Sequence, residues 1–160
     1  QRLHSAQGSG GDTTEAAAKY SILKKAKLIC STLSMAGSPT LTQMGMKFDT
    51  VVIDEAAQGV ELSTLIPLKY GAQRLVLVGD PKQLPATIFS KITEEKLYAQ
   101  SLFERLEKAG HPIHMLKVQY RMNPKVSHII SDLFYKSSLQ DAETILKLIN
   151  YDTFYENSIF

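Results

Sequence analysis

Val51–Gln58 reads VVIDEAAQ: three β-favouring apolar residues run straight into two adjacent carboxylates. A solid apolar run of this kind marks a strand buried inside a parallel sheet, and its abrupt acidic end marks a strand that delivers acids to a cleft. Asp54 and Glu55 are neighbours, so on an extended backbone they point to opposite sides. Such a pair can set one acid towards a metal-bound phosphate and the other towards the water that attacks it. A strand that merely ends in surface acids has the same local sequence, so the reading depends on what lies downstream.

Two further stretches repeat the pattern. Arg74–Gly79, RLVLVG, is again nearly continuous apolar sequence and empties into Asp80-Pro81-Lys82-Gln83-Leu84-Pro85. Two prolines around a Lys-Gln pair make a stiff loop able to hold a polar side chain in place. Ile113–Val118 reads as another strand and ends in Gln119-Tyr120-Arg121-Met122. Between these runs lie helical signals. Phe48–Asp54 is followed by a short helix over Gln58–Ile66, stopped by Pro67. Thr93 is an N-cap for a helix through Ala109, with Glu94 and Glu95 in its first turn and Gly110 just past its end. Leu97, Leu102, Phe103 and Leu106 form its buried stripe. Asn123 caps a helix with Pro124 at its first position, and Val126, Ile129, Ile130, Leu133 and Phe134 follow the helical period. Strands alternating with helices, each strand a solid apolar run, predict an α/β fold built on a parallel sheet flanked by helices. In such sheets ligands sit beyond the carboxyl ends of the strands, where all three polar clusters fall.

The flanks are less informative. Gln7–Asp12 is Gly/Ser-rich and reads as loop, with Asp12 and Glu15 forming a capping-box-like start to an amphipathic helix running to Lys27. Lys24, Lys25 and Lys27 make a basic cluster at its end, where the helix dipole favours them. Leu28–Cys30 is a short apolar run into Ser31-Thr32 and a small-residue loop, Ser34–Thr42. Either a plain turn or a segment bringing Thr32 to a phosphate fits it. Ile145–Ile149 is a helical turn or two, and Tyr151–Phe160 has no clear period.

Composition excludes several classes. With 160 residues, 44% hydrophobic and 21% charged, the chain has the make-up of an ordinary globular protein. A net charge of +2 is too near balance to argue for nucleic acid by itself. Cys30 is the only cysteine, so there is no internal disulfide and a reducing compartment is expected. No apolar run approaches the roughly 20 residues of a membrane span, and no signal-peptide layout opens the sequence. The missing initiator methionine points to a piece of something longer.

With a nucleoside triphosphate as ligand, the clusters acquire roles. Asp54 suits a metal held through water, since magnesium keeps part of its hydration shell. Glu55 suits the base that orients or deprotonates the attacking water. Gln83 can donate to the γ-phosphate, and Arg121 offers a planar, always-charged fork for it.

DEAAQ at Asp54–Gln58, GDPKQLPAT at Gly79–Thr87 and VQYRMNP at Val118–Pro124 resemble motifs II, III and IV of the superfamily 1B RNA/DNA helicases, in wording most like the senataxin-like branch. ICSTLSMAGS at Ile29–Ser38 and SLFERL at Ser101–Leu106 resemble flanking segments of the same family. The resemblance implies a RecA-like fold and ATP-driven, 5′-to-3′ movement on single-stranded RNA or DNA, with ATP and Mg2+ as cofactors. It implies Asp54 as the magnesium ligand, Glu55 as the activator of water, and Gln58, Gln83 and Arg121 as contacts to the nucleotide. Thr32, Pro85 and Thr87 would then lie towards the nucleic acid. A nuclear setting, or else a cytoplasmic one, follows, without membrane attachment or secretion.

The phosphate-cradling GxxxxGK[ST] does not occur in this sequence; GSGGDTT at Gly8–Thr14 lacks the lysine. The family's motifs V and VI do not occur either. The chain is therefore expected to hold the back of a first RecA-like lobe, residues 1–111, and the opening of a second, residues 112–160, and to be inactive alone. Two other readings share these residues: a nuclease-linked DNA helicase of the same superfamily, and a nucleic-acid-binding module that has lost its P-loop.

Overall fold

A computed structural model of the chain describes residues 10–88 and 98–149. By internal contacts the chain divides into two compact units, Gln1–Ala109 and Gly110–Phe160.

In the first unit, β1 (Thr50–Ile53) pairs in parallel with β2 (Arg74–Leu77), with Thr50 opposite Arg74 and Ile53 opposite Leu77. Both strands fall inside the apolar runs of the sequence. Val51, Ile53, Leu75 and Leu77 turn to the covered face, whereas Val52 and Val76 are 63% and 45% exposed. The expectation of burial on both faces thus holds for one face among the described residues. Parallel pairing requires a crossover, here a 3-10 turn (Ala56–Gln58), the helix α4 (Glu61–Leu65) and a second 3-10 turn (Ile66–Tyr70). Pro67 stands in the first turn of that second element, where its missing N–H is harmless.

The segment before β1 differs from expectation. The helix α1 (Gly10–Lys25) starts two residues before Asp12, which therefore lies inside it and not at its cap. Among its described side chains, the large apolar Tyr20 and Ile22 are exposed. Leu28–Cys30 is not a strand, and the presumed loop after it contains two short helices, α2 (Leu33–Ala36) and α3 (Pro39–Gln43). Hydroxyl caps start both, Thr32 accepting from Met35 N at 3.2 Å and Ser38 from Leu41 N at 3.4 Å. Tyr70 ties this region down, its buried hydroxyl donating to Ala36 O at 2.6 Å and its ring meeting Phe48 edge-on.

The helix α5 (Leu102–Lys108) begins later than the sequence implied, because Ser101, almost wholly buried, caps it by accepting from Glu104 N at 3.1 Å. Thr93, Glu94, Glu95 and Leu97 lie outside the described residues. α5 packs on α4 and on the Ala56–Gln58 turn, with Leu102, Ala56 and Ala57 buried. Arg105 grips Glu61 of α4 with two bonds, at 2.7 and 2.8 Å.

The second unit is a strand–helix–strand unit. β3 (Val118–Gln119) pairs in parallel with β4 (Gln140–Asp141), and α6 (Pro124–Phe134) bridges them, followed by α7 (Glu143–Ile149). β3 is shorter than the Ile113–Val118 run suggested, residues 112–117 forming no regular structure. α6 starts as read, with Asn123 Oδ1 accepting from Lys125 N at 3.0 Å and Pro124 in the first turn. Its buried face, however, is Ser127 and Ser131, while Val126, Ile129 and Leu133 are exposed. Ser131 earns its burial through hydrogen bonding, its hydroxyl accepting from Leu139 N at 3.0 Å and so placing the entry to β4.

Candidate functional site

The acid pair sits where β1 stops. Ile53 is the last strand residue, and the chain then leaves the extended conformation: Glu55 is left-handed, with φ 52° and ψ 36°. The two carboxylates therefore do not alternate across a continuing strand, as the sequence led us to expect. The turn is made by the hydrogen bonds it satisfies. Asp54 Oδ1 accepts from Glu55 N at 3.0 Å, Ala56 N donates to Val78 O at 2.8 Å, and Gln58 N donates to Glu55 O at 2.9 Å. Gln58 also donates from Nε2 to Glu55 Oε2 at 3.0 Å, fixing one oxygen of that carboxylate and leaving the other free to engage a water.

β2 delivers its loop to the same edge. Val78 N donates to Ile53 O at 2.8 Å, so the ladder continues past both strand ends. Gly79 is where the two loops touch: a Cβ there would come within 2.9 Å of Ala57 N and 3.0 Å of Ala56 N, closer than real side chains approach backbone. Only glycine fits between them. Asp80, given no role of its own from sequence, organises the loop beyond it. Its carboxylate accepts from Lys82 N at 2.9 Å and from Gln83 Nε2 at 3.0 Å, and its carbonyl from Gln83 N at 3.1 Å. The prolines are thus not the loop's sole constraint. One hydrogen of the Gln83 amide is held by Asp80, and its second remains to donate elsewhere. Asp54, Glu55, Gln58 and Gln83 are all exposed.

Pro85 and Thr87 lie further along, bordering with Leu84, Ala86, Ile88 and Ala99 an open depression of about 330 Å³. Thr32 is at the N-cap of α2, its hydroxyl oxygen engaged there.

Arg121 belongs to the second unit, in the turn between β3 and α6. Its guanidinium makes no hydrogen bond or ion pair among the described residues. The backbone carrying it is held by Gln119, whose Oε1 accepts from Arg121 N at 2.8 Å and Met122 N at 2.7 Å. Gln119 Nε2 donates to Met122 O at 2.8 Å and to Asp141 Oδ1 at 2.6 Å. At the level of sequence Gln119 had no role beyond opening a polar strand end, and Asp141, which closes no apolar run, was not singled out.

Among the described residues no group of three His, Cys, Asp or Glu side chains gathers into a metal cage. A single carboxylate, Asp54, with one oxygen already accepting a backbone N–H, fits a hard cation that keeps most of its water, which is the habit of Mg2+.

Helices on small parallel sheets, with acids, a glutamine loop and an arginine at the carboxyl ends of the strands, define a RecA-like α/β core. Family models described as "AAA domain" match residues 2–91 and 98–158. The chain is 46% identical over 139 residues to the Probable helicase MAGATAMA 3 of Arabidopsis thaliana, covering 87% of this chain and 17% of that protein. It is 50% identical over 124 residues to Helicase SEN1 of Saccharomyces cerevisiae, covering 78% of this chain and 6% of that protein. To the ATP-dependent helicase NAM7 of the same yeast it is 45% identical over 124 residues, covering 78% of this chain and 12% of that protein. The chain belongs to the superfamily 1 RNA/DNA helicases of the Upf1/Sen1 type, and it spans less than a fifth of the length of these relatives.

No helix among the described residues is long and apolar enough to cross a membrane.

Proposed function

We propose that this chain carries part of the machinery with which a longer protein hydrolyses ATP to move along single-stranded RNA or DNA, and that the segment alone does not turn over. We read residues 1–111 as the back of a first RecA-like lobe and residues 112–160 as the opening of another. A nuclear setting, with the cytoplasm as the alternative, belongs to the same reading. The observation that carries it is the shared edge: parallel pairing of β1 with β2 continues into Ala56 N–Val78 O and brings the acid pair beside the Gln83 loop.

In this mechanism Asp54 would hold Mg2+ through water, and the bound ion would supply positive charge to the triphosphate. Glu55, one oxygen steadied by Gln58, accepts a hydrogen bond from the attacking water with the other and takes its proton. Gln83 donates its free amide hydrogen to the γ-phosphate. If that phosphate leaves, the loop loses one of its polar partners while Asp80 keeps the other, which gives the loop two states. Arg121, its guanidinium unspent on neighbouring carboxylates, meets the charge that develops in the transition state. Pro85 and Thr87 face the strand, the apolar rim of their depression suiting a base better than a phosphate.

The test is Glu55→Gln in the full-length protein, measuring nucleic-acid-stimulated ATP hydrolysis and ATP binding side by side. Loss of a positioned base lowers turnover about 10²–10⁴-fold, with binding retained. Hydrolysis near the wild-type rate would sink the reading.

A further inference from the structure

Every hydrogen-bonding capacity of the Gln119 carboxamide is used. Its oxygen has two acceptor positions, filled by Arg121 N and Met122 N, and its nitrogen has two hydrogens, given to Met122 O and Asp141 Oδ1. The arrangement also fixes which way the amide points. Turned over, its NH2 would face two N–H groups and its oxygen a carbonyl and a carboxylate. Asp141 sits opposite Gln119 in the parallel register, and the backbone bonds Gln140 N–Lys117 O at 2.7 Å and Ala142 N–Gln119 O at 3.0 Å lock the two strands there. The turn bearing Arg121 is therefore built around one side chain, and that side chain is anchored to a residue 22 positions away.

The guanidinium on this turn has no partner of its own among the described residues, so nothing but the turn sets where it starts from. We infer that Gln119 and Asp141 are positioning residues for Arg121: they hold its backbone so that the guanidinium is presented to the triphosphate, and they do not touch the ligand. The inference rests on the proposed role of Arg121 at the γ-phosphate.

The chemistry of the pair offers a swap. Gln119→Glu keeps the shape and the acceptor oxygen but replaces the donor nitrogen with an oxygen facing Met122 O and the Asp141 carboxylate. Asp141→Asn added to it puts an amide N–H against that new oxygen and restores a donor–acceptor contact of the opposite sense. The measurement is nucleic-acid-stimulated ATP turnover of the full-length protein for wild type, Gln119→Glu, Asp141→Asn, the double swap, Arg121→Ala and Gln119→Glu/Arg121→Ala. A displacement of about 1 Å at a reacting centre costs up to ~10²-fold, so Gln119→Glu is expected to lose about 10- to 100-fold in kcat. Its KM for ATP is expected to stay close to wild type, and turnover is compared per folded protein because the two carboxylates now face each other. The double swap should recover part of that loss, since it restores the contact to residue 141 while Met122 O still faces an oxygen. On the Arg121→Ala background Gln119→Glu should add nothing, because its only effect runs through that arginine.

Wild-type kcat in Gln119→Glu overturns the positioning role and leaves the proposed function standing. So does a double swap no better than the single, or a loss of activity that only follows a loss of folded protein. A further drop on the Arg121→Ala background shows that Gln119 acts by itself and overturns it too. If the wild-type protein fails to hydrolyse ATP under any nucleic-acid condition, the proposed function falls, and this role falls with it.

Discussion

At the residue scale, Glu55 concentrates the argument. A left-handed conformation costs a non-glycine residue roughly 1–2 kcal/mol, and here it is held by the bonds from Ala56, Gln58 and Asp54 around it. Strain retained at a proposed catalytic base predicts a trade-off. Glu55→Gly should leave the unfolding free energy of the fold unchanged or raise it by up to about 1 kcal/mol, while abolishing ATP hydrolysis. Chemical denaturation would check this, and a destabilisation of more than about 1 kcal/mol would mean that the carboxylate itself holds the turn. That Asp54, Glu55, Gln83 and Arg121 lie past strand ends was legible in the sequence, because each belongs to a polar cluster that closes an apolar run. The left-handed turn was not, since nothing in the letters D-E distinguishes a strand that continues from one that folds back. Asp80, Gln119 and Asp141 escaped for a related reason: they act on neighbours through hydrogen bonds that appear only once the turns have closed.

At the scale of elements, two contacts decide whether the loops hold together. Gly79→Ala would drive a methyl group into the backbone of Ala56 and Ala57, and such overpacking typically costs 1–3 kcal/mol. Faster hydrogen exchange in the peptides covering 53–59 and 77–83 of the full-length protein is the expected result, and unchanged protection would show that the loops can part without strain. The Glu61–Arg105 pair behaves differently, because it titrates. The hydrogen bond from Arg105 holds the Glu61 carboxyl below its usual value, with burial partly opposing and the positive charge assisting. The folded protein thus releases that proton more readily than the unfolded chain. The pair's contribution is complete above the ordinary glutamate value of about 4.3 and is lost as the pH falls through the lowered one. Protection of α5 should accordingly weaken in acid, and Glu61→Gln should flatten that dependence. Element by element, β1, β2 and the Asn123-capped start of α6 follow from the pattern of apolar runs and caps. β4 was invisible, as a two-residue strand leaves no periodicity. α2 and α3 hid in a stretch read as loop because hydroxyl caps and small residues signal turns and short helices alike. The stripe of α6 misled more deeply: Val126, Ile129 and Leu133 have the spacing of a core face, yet among the described residues Ser127 and Ser131 face inward, Ser131 accepting a bond from Leu139 N there.

For the molecule as a whole, the same apolar groups carry a liability. Val52 and Val76 on the first sheet, and Ile129 at 58% and Leu133 at 69% exposure on α6, are large hydrophobic surfaces without cover among the described residues. Each sheet has two strands, so every strand is an edge strand among the described residues. The 160-residue chain produced alone should therefore self-associate and bind a hydrophobic dye, and Val52→Thr with Val76→Thr should lessen both, as read by light scattering and dye fluorescence. A monodisperse, dye-silent chain would contradict this. The division into helix-flanked parallel sheets was legible in the sequence; which faces stay bare was not, because burial on a second face depends on partners and not on the run itself.

The grip of Arg105 on Glu61 has one more consequence. Together with Glu61 N–Gln100 O at 3.3 Å, it fastens α5 to α4, so the intervening chain forms a ring closed without a covalent link. Lys82 lies on the exposed part of that ring. A protease nick after it would separate the covalent halves yet leave them clasped, a natural split point at which two fragments could reassemble.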